Sequence, residues 1–186
     1  MKTLSRSFLL LACLSAALPA PALAQKSYAI AVGGGAAIPV GKLGDTQRTG
    51  YNAMAALAIG VAELPIGVRF DAIYNKILAP KAVAQPQGGA TPSDLSVSGV
   101  LGNLVFAFPG TSAKAYVLAG AGLYISKPDI AGAKAQNNLG FNAGIGTTFG
   151  AGSFALFVES RYHSISRSAA KGGVYQFVPV TLGILF

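Results

Sequence analysis

Counting back from the C-terminus, Phe186, Ile184, Leu182, Val180 and Val178 are apolar at every second position. Period two with one apolar face marks a β-strand whose two faces meet different media. The same alternation recurs upstream. It predicts eight strands, at about 27–39, 51–62, 66–75, 96–108, 115–126, 138–149, 154–163 and 175–186. In the third, Ile66, Val68, Phe70, Ala72 and Tyr74 alternate with Gly67, Arg69, Asp71, Ile73 and Asn75. In the sixth, Leu139, Phe141, Ala143, Ile145, Thr147 and Phe149 alternate with Gly140, Asn142, Gly144, Gly146 and Thr148. Pro179 interrupts the last strand, where a lost ladder bond or a bulge is expected.

The connections alternate in length. Residues 40–50, 76–95, 127–137 and 164–174 form long polar or glycine-rich loops, while 63–65, 109–114 and 150–153 are short turns. Each predicted strand reaches about the 9–11 residues that a tilted transmembrane strand needs. An even strand number with alternating long and short connections puts both termini on one side. The predicted fold is all-β, an eight-stranded antiparallel up-and-down transmembrane β-barrel.

Composition supports the membrane over water. Hydrophobic residues are 52% of the chain and charged residues 11%, against about 25% charged in a soluble domain. A soluble lipocalin-like barrel would need more charge to cover its outside. Beyond the N-terminus there is no apolar run of about 20 residues for a helical span. A closed barrel is the other way to satisfy every backbone polar group in lipid. Small residues dominate one face of strands one, two and six, which fits the narrow inside of eight strands. Tyr and Phe near strand ends, Tyr116 and Tyr124 among them, are expected in aromatic girdles.

The N-terminus reads differently. Lys2 and Arg6 precede an apolar stretch, 8–18, which Pro19 and Pro21 end before Ala22-Leu23-Ala24. That order is a secretory signal peptide. Two domains follow: a cleaved signal peptide, 1–24, and a barrel domain, 25–186. Export in a bacterium with two membranes is expected. The lone cysteine, Cys13, lies inside the signal segment. Disulfides and cysteine-based metal sites or nucleophiles are thereby excluded from the mature chain. The formal charge of +8 becomes +6 once Lys2 and Arg6 are removed. The basic residues are spread singly, without the clustering that nucleic-acid binding requires, so no nucleic acid is expected.

Several stretches carry a resemblance to a known family. They are the signal sequence, Leu64-Pro65-Ile66-Gly67-Val68-Arg69-Phe70-Asp71, the run from Tyr116 to Tyr124 (YVLAGAGLY), Val158-Glu159-Ser160-Arg161-Tyr162-His163 and the last nine residues. Their order and spacing over the mature chain resemble the small outer-membrane β-barrel domain proteins, the group of the OmpA, OmpX and OmpW barrels. The resemblance implies residence in the cell outer membrane, among its lipids, and assembly by the barrel-assembly machinery. Val180, Leu182, Ile184 and Phe186 then correspond to the family's C-terminal assembly signal. One departure stands out. The signal usually has a glycine five residues before the final aromatic, and here Thr181 holds that place with Gly183 two residues on.

Few residues can carry chemistry. Arg69 and Asp71 share a face of strand three, and Glu159 and Arg161 a face of strand seven, each opposite apolar neighbours. Facing lipid at mid-depth, an Arg would cost about 2–4 kcal/mol, so all four should point into the lumen. Strands three and seven face each other across eight strands. An ion-pair network is predicted, Arg69 with Glu159 and Asp71 with Arg161. It reads as a structural plug or as the gate of a narrow ion path. His163, the only histidine, has Ser160, Ser164 and Ser166 nearby in sequence. An acyl-transfer enzyme would need Ser, His and a carboxylate together. A rim histidine bonded to a loop is the plainer reading, no metal or other cofactor is implied, and no enzyme is expected. Lys42, Arg48, Lys76, Lys81, Lys127, Lys134, Arg167 and Lys171 lie on the long loops against Asp45, Asp94 and Asp129, a surplus of +5. It suits contact with lipopolysaccharide phosphates, or it is ordinary solvated loop. The expected role is structural or interactive at the cell surface, around a lumen filled by side chains. The alternatives are a narrow channel for ions or small hydrophobic solutes and, third, a lipid-acyl enzyme.

Overall fold

The computed structural model describes residues 28–60, 65–80, 93–110, 113–167 and 173–186. The signal peptide, Cys13, most of the 63–65 turn and loop residues Lys81 and Lys171 lie outside the described residues. Eight antiparallel strands close into one barrel in chain order. They are β1 (Tyr28–Val40), β2 (Arg48–Gly60), β3 (Ile66–Leu78), β4 (Leu95–Ala107), β5 (Ala113–Pro128), β6 (Gln136–Ala151), β7 (Phe154–Ser166) and β8 (Val174–Leu185). Closure joins β1 to β8, with Ala31 opposite Leu185. Phe186 also takes part: its N–H donates to the Ile30 carbonyl (2.8 Å) and its carbonyl accepts from the Ile30 N–H (3.1 Å). Closure leaves no unpaired sheet edge.

The strands run longer than the side-chain pattern suggests, mainly at the long-loop end. β3 continues to Leu78, and β2 begins at Arg48 through a register shift between Arg48 and Tyr51. Backbone pairing does not need apolar side chains, so the ladder goes on where the alternation has stopped. In the first long loop, Gly41–Gly44 forms a single helical turn, α1. Gly41 has φ 56°, which favours glycine. The turn buries Leu43 at the barrel mouth. Pro179 leaves a gap rather than a bulge. The β7–β8 partners run to Ser160 opposite Val180 and resume at His163 opposite Phe177 in unchanged register. Losing one donor costs ladder bonds locally, while the β1 side keeps Ala37 opposite Pro179.

Thirteen residues at about 3.3 Å each, tilted roughly 40°, span about 33 Å, near the ~30 Å hydrocarbon thickness of a bilayer. The outer face is mostly apolar, with small polar residues such as Ser98, Thr147 and Ser160 among the outward positions. Leu104 is 71% exposed and Val100 67%, and Ile145, Leu139, Leu123 and Leu182 are similarly bare. Val180, Ile184 and Phe186 point outward with them. Phe106 and Phe108 pack edge to face at the short-turn end (5.1 Å), and Tyr51 meets Tyr74 at the other (6.3 Å).

Inside, the buried side chains stack in layers. Ala31, Met54, Ala56 and Phe157 form one nearer the short turns. Ala37, Leu43, Ile77, Leu95, Val97, Leu101, Tyr124, Ile165 and Phe177 form one nearer the long loops. Glycines make room for the aromatics. A Cβ at Gly140 would lie 2.7 Å from Tyr124 Cε2, one at Gly33 2.9 Å from Phe157 Cζ, and ones at Gly146 and Gly183 would enter the rings of Tyr116 and Phe157. In β6, Gly140 and Gly146 are thus seats for the rings of Tyr124 and Tyr116, while Gly144 makes room for Arg161. The same need for room accounts for Gly183, beside buried Thr181. Gly183→Val is expected to cost about 1–3 kcal/mol of stability by overpacking. Gly150→Val, where a Cβ meets nothing within 4 Å, should cost far less. Urea titration followed by the folded, fast-migrating band on gels separates the two.

Candidate functional site

Between the two apolar layers lies a layer of charge. Inward alternation on β3 brings Arg69 and Asp71 to one face, and on β7 Glu159 and Arg161. All four are between 1% and 6% exposed. Arg69 meets Glu159 in a two-pronged pair, Nη1 to Oε2 at 2.8 Å and Nη2 to Oε1 at 3.0 Å. Arg161 Nη2 reaches Asp71 Oδ1 at 3.4 Å. Same-strand pairs complete the layer: Arg69 Nε lies 3.0 Å from Asp71 Oδ1, and Arg161 Nε donates to Glu159 Oε1 at 3.0 Å. Two cations and two anions leave it neutral. Parallel donors on one carboxylate are the strong, directional form of this contact.

Neutral groups finish the network. Tyr116 donates its hydroxyl to Glu159 Oε2 (2.8 Å), and Asn103 donates its amide to Asp71. Arg161 Nη1 and Asn75 Oδ1 have no protein partner. Both residues line a cavity of about 10 Å³, close to what one water needs.

His163 does not sit on a rim bonded to a loop. It is buried in the lumen, its Nδ1 2.9 Å from the Tyr124 hydroxyl on β5, and its ring stacks on Phe177 at 4.9 Å. No serine hydroxyl bonds it among the described residues, and Ser160, Ser164 and Ser166 alternate with it on β7. Tyr116 and Tyr124 are likewise not girdle residues. Both point inward, while Val117, Leu123 and Ile125 face out. Parity along β5 is the signal that separates them: even positions enter the lumen with Leu118, Gly120 and Gly122.

At the long-loop end, Lys76 bridges Asp94 (3.4 Å) and Asp129 (2.9 Å). The Ala79 N–H donates to Asp94 (2.9 Å) and holds its carboxyl below the usual range, helped by Lys76. Arg167 lies over the Tyr175 ring at 3.9 Å. Lys42, Lys127 and Lys134 have no ion-pair partner among the described residues.

No family model matches the sequence, and a search among curated proteins found no relative. Solved structures do match. Neisserial surface protein A superposes with a TM-score of 0.65 at 16% identity, covering 86% of this chain and 96% of that one. A major outer membrane protein from Thermus thermophilus gives 0.55 at 12% identity, over 86% and 99%. Ail, the attachment invasion locus protein of Yersinia pestis, gives 0.51 at 17%, over 86% and 97%. The fold is that of the small outer-membrane β-barrels. With its apolar belt, the barrel is built for a lipid bilayer, the belt facing lipid and the charge layer hidden within. The belt follows from the exposed residues of this chain, and the likeness adds the fold.

Proposed function

We propose that this outer-membrane barrel has a structural or surface-interaction role, with its lumen plugged by side chains and its long loops presented to the outside. The observation that carries the reading is the neutral, hydrogen-bonded charge layer held between two buried apolar layers. Such a lumen leaves the loop surface to do the work. Lys42, Lys134 and, at the end of β5, Lys127 supply positive charge at that surface with no ion-pair partner among the described residues, which suits lipopolysaccharide phosphates as the partner. Signal-directed export and delivery by the barrel-assembly machinery, through Val180, Leu182, Ile184 and Phe186, complete the proposal.

The test uses the full barrel in nanodiscs. Binding to lipopolysaccharide vesicles is expected to weaken steeply as salt rises from about 0.05 to 0.5 M, because screening shortens the reach of exposed charge. Replacing Lys42, Lys127 and Lys134 together with Gln should remove most of that salt dependence. Equal binding to dephosphorylated vesicles would overturn the phosphate assignment. Residence in the outer-membrane fraction, with faster migration before boiling than after, tests the barrel itself.

A narrow ion channel is the second reading, favoured by the charge layer standing across the lumen. The acyl-enzyme reading lacks support, since no serine hydroxyl among the described residues bonds His163.

A further inference from the structure

At the short-turn end the lumen is open beneath the charge layer. Ala31, Ala58, Phe157 and Leu185 wall a pocket of about 280 Å³, with Arg69 and Tyr116 above and Lys114 also lining it. The polar groups above are already engaged, since Arg69 and Tyr116 both bind Glu159. Lys114 has no ion-pair partner among the described residues. Outward-facing Ile59, Ile66 and Val68 also line the pocket. Its apolar wall therefore continues over the barrel lip into the lipid-facing belt.

We propose that this vestibule binds a single-chain anionic amphiphile, its head at Lys114 and its chain against Phe157 and Leu185. The physical logic is complementarity at two points. A cation with no ion-pair partner among the described residues favours one anionic head. The apolar wall below the satisfied layer favours a hydrocarbon chain, and the further polar side chain of the lining, Thr148, already donates its hydroxyl to the Lys114 carbonyl. The continuity with the belt gives an amphiphile already dissolved in the membrane a route along one apolar surface, without passage through water. A charged head driven deeper would meet Arg69 and Tyr116, whose donors Glu159 already holds, so the head stays at the lip.

The probe is decanoate, titrated into the barrel in nanodiscs with alanine methyls observed by NMR. Saturable shifts are expected at inward Ala31 and Ala58, with only a gradual drift at outward Ala55, which reports partition into lipid. Shortening the chain to octanoate should weaken the saturable response by roughly fourfold per methylene. Lys114→Gln should weaken decanoate about two- to fivefold and leave decanol unchanged. Ala58→Phe, in a barrel that still migrates as folded, should abolish the saturable response by filling the space. Displacement of decanoate by lysophosphatidylglycerol would assign a membrane lysolipid, and its failure a free carboxylate; both retain the site. Shifts at Ala31 and Ala58 no larger than at Ala55, or a Lys114→Gln barrel that binds decanoate as well as before, would overturn the proposal.

Discussion

Glu159→Gln is expected to lower the unfolding free energy of the barrel by about 3–5 kcal/mol. The carboxylate of Glu159 accepts from both prongs of Arg69, from Arg161 and from Tyr116. Neutralising it leaves two buried guanidinium groups facing Asp71 alone, a net positive charge in the buried lumen. The pair removed whole behaves differently. Arg69→Met with Glu159→Leu takes out one cation and one anion together and leaves Arg161 with Asp71. The double variant should therefore lose less stability than Glu159→Gln alone, because buried ion pairs return little beyond their own desolvation cost. The chain has no tryptophan, so the measurement is the urea dependence of the fast-migrating folded band or of circular dichroism. Additive losses from the two single variants would show that the four charges do not act as one unit.

The inward facing of these charges is legible in the sequence because charge and parity agree. Arg69 and Asp71 alternate with outward Val68, Phe70 and Ala72, and Glu159 and Arg161 with Val158, Ser160 and Tyr162, and lipid penalises charge at mid-depth. Alternation decides facing even when individual residues are ambiguous. What escaped is what alternation does not weigh. Tyr116 and Tyr124 suit a girdle by composition and position, yet their even places on β5 turn them inward. A phenol is apolar enough for lipid and polar enough for the lumen, so residue type does not choose; only parity does. His163 shares the facing of Glu159, but its stack on Phe177 pairs residues of two strands, and no single-strand pattern contains it. The glycines of β6 read as lumen positions, while the purpose of Gly140 and Gly146 depends on rings that belong to β5, and that of Gly144 on Arg161 of β7. The strand ends and α1 escaped for a different reason. They are fixed by backbone bonds and by φ at Gly41, not by an apolar face.

The layer above the charges bears on whether the barrel conducts. Tyr124, Phe177, Ile77, Leu101 and Ile165 are each at most 1% exposed. The His163–Phe177 stack and the Tyr124–His163 hydrogen bond tie three strands, β5, β7 and β8, into it. A gate made only of the ion pairs would open when they are removed. A constriction of packed apolar side chains stays dry even then, since dewetting blocks ions without any charge. Arg69→Ala with Glu159→Ala is therefore expected to leave planar-bilayer conductance at the level of the unaltered barrel. Adding Phe177→Ala and Tyr124→Ala should raise it at least tenfold, because the loss of two rings gives water a continuous path past His163. Conductance from the first double variant alone would show that the charges are the gate and return the channel reading to first place. No conductance from the fourfold variant, in a barrel that still migrates as folded, would show that the remaining aliphatic side chains of the two layers suffice to close the lumen.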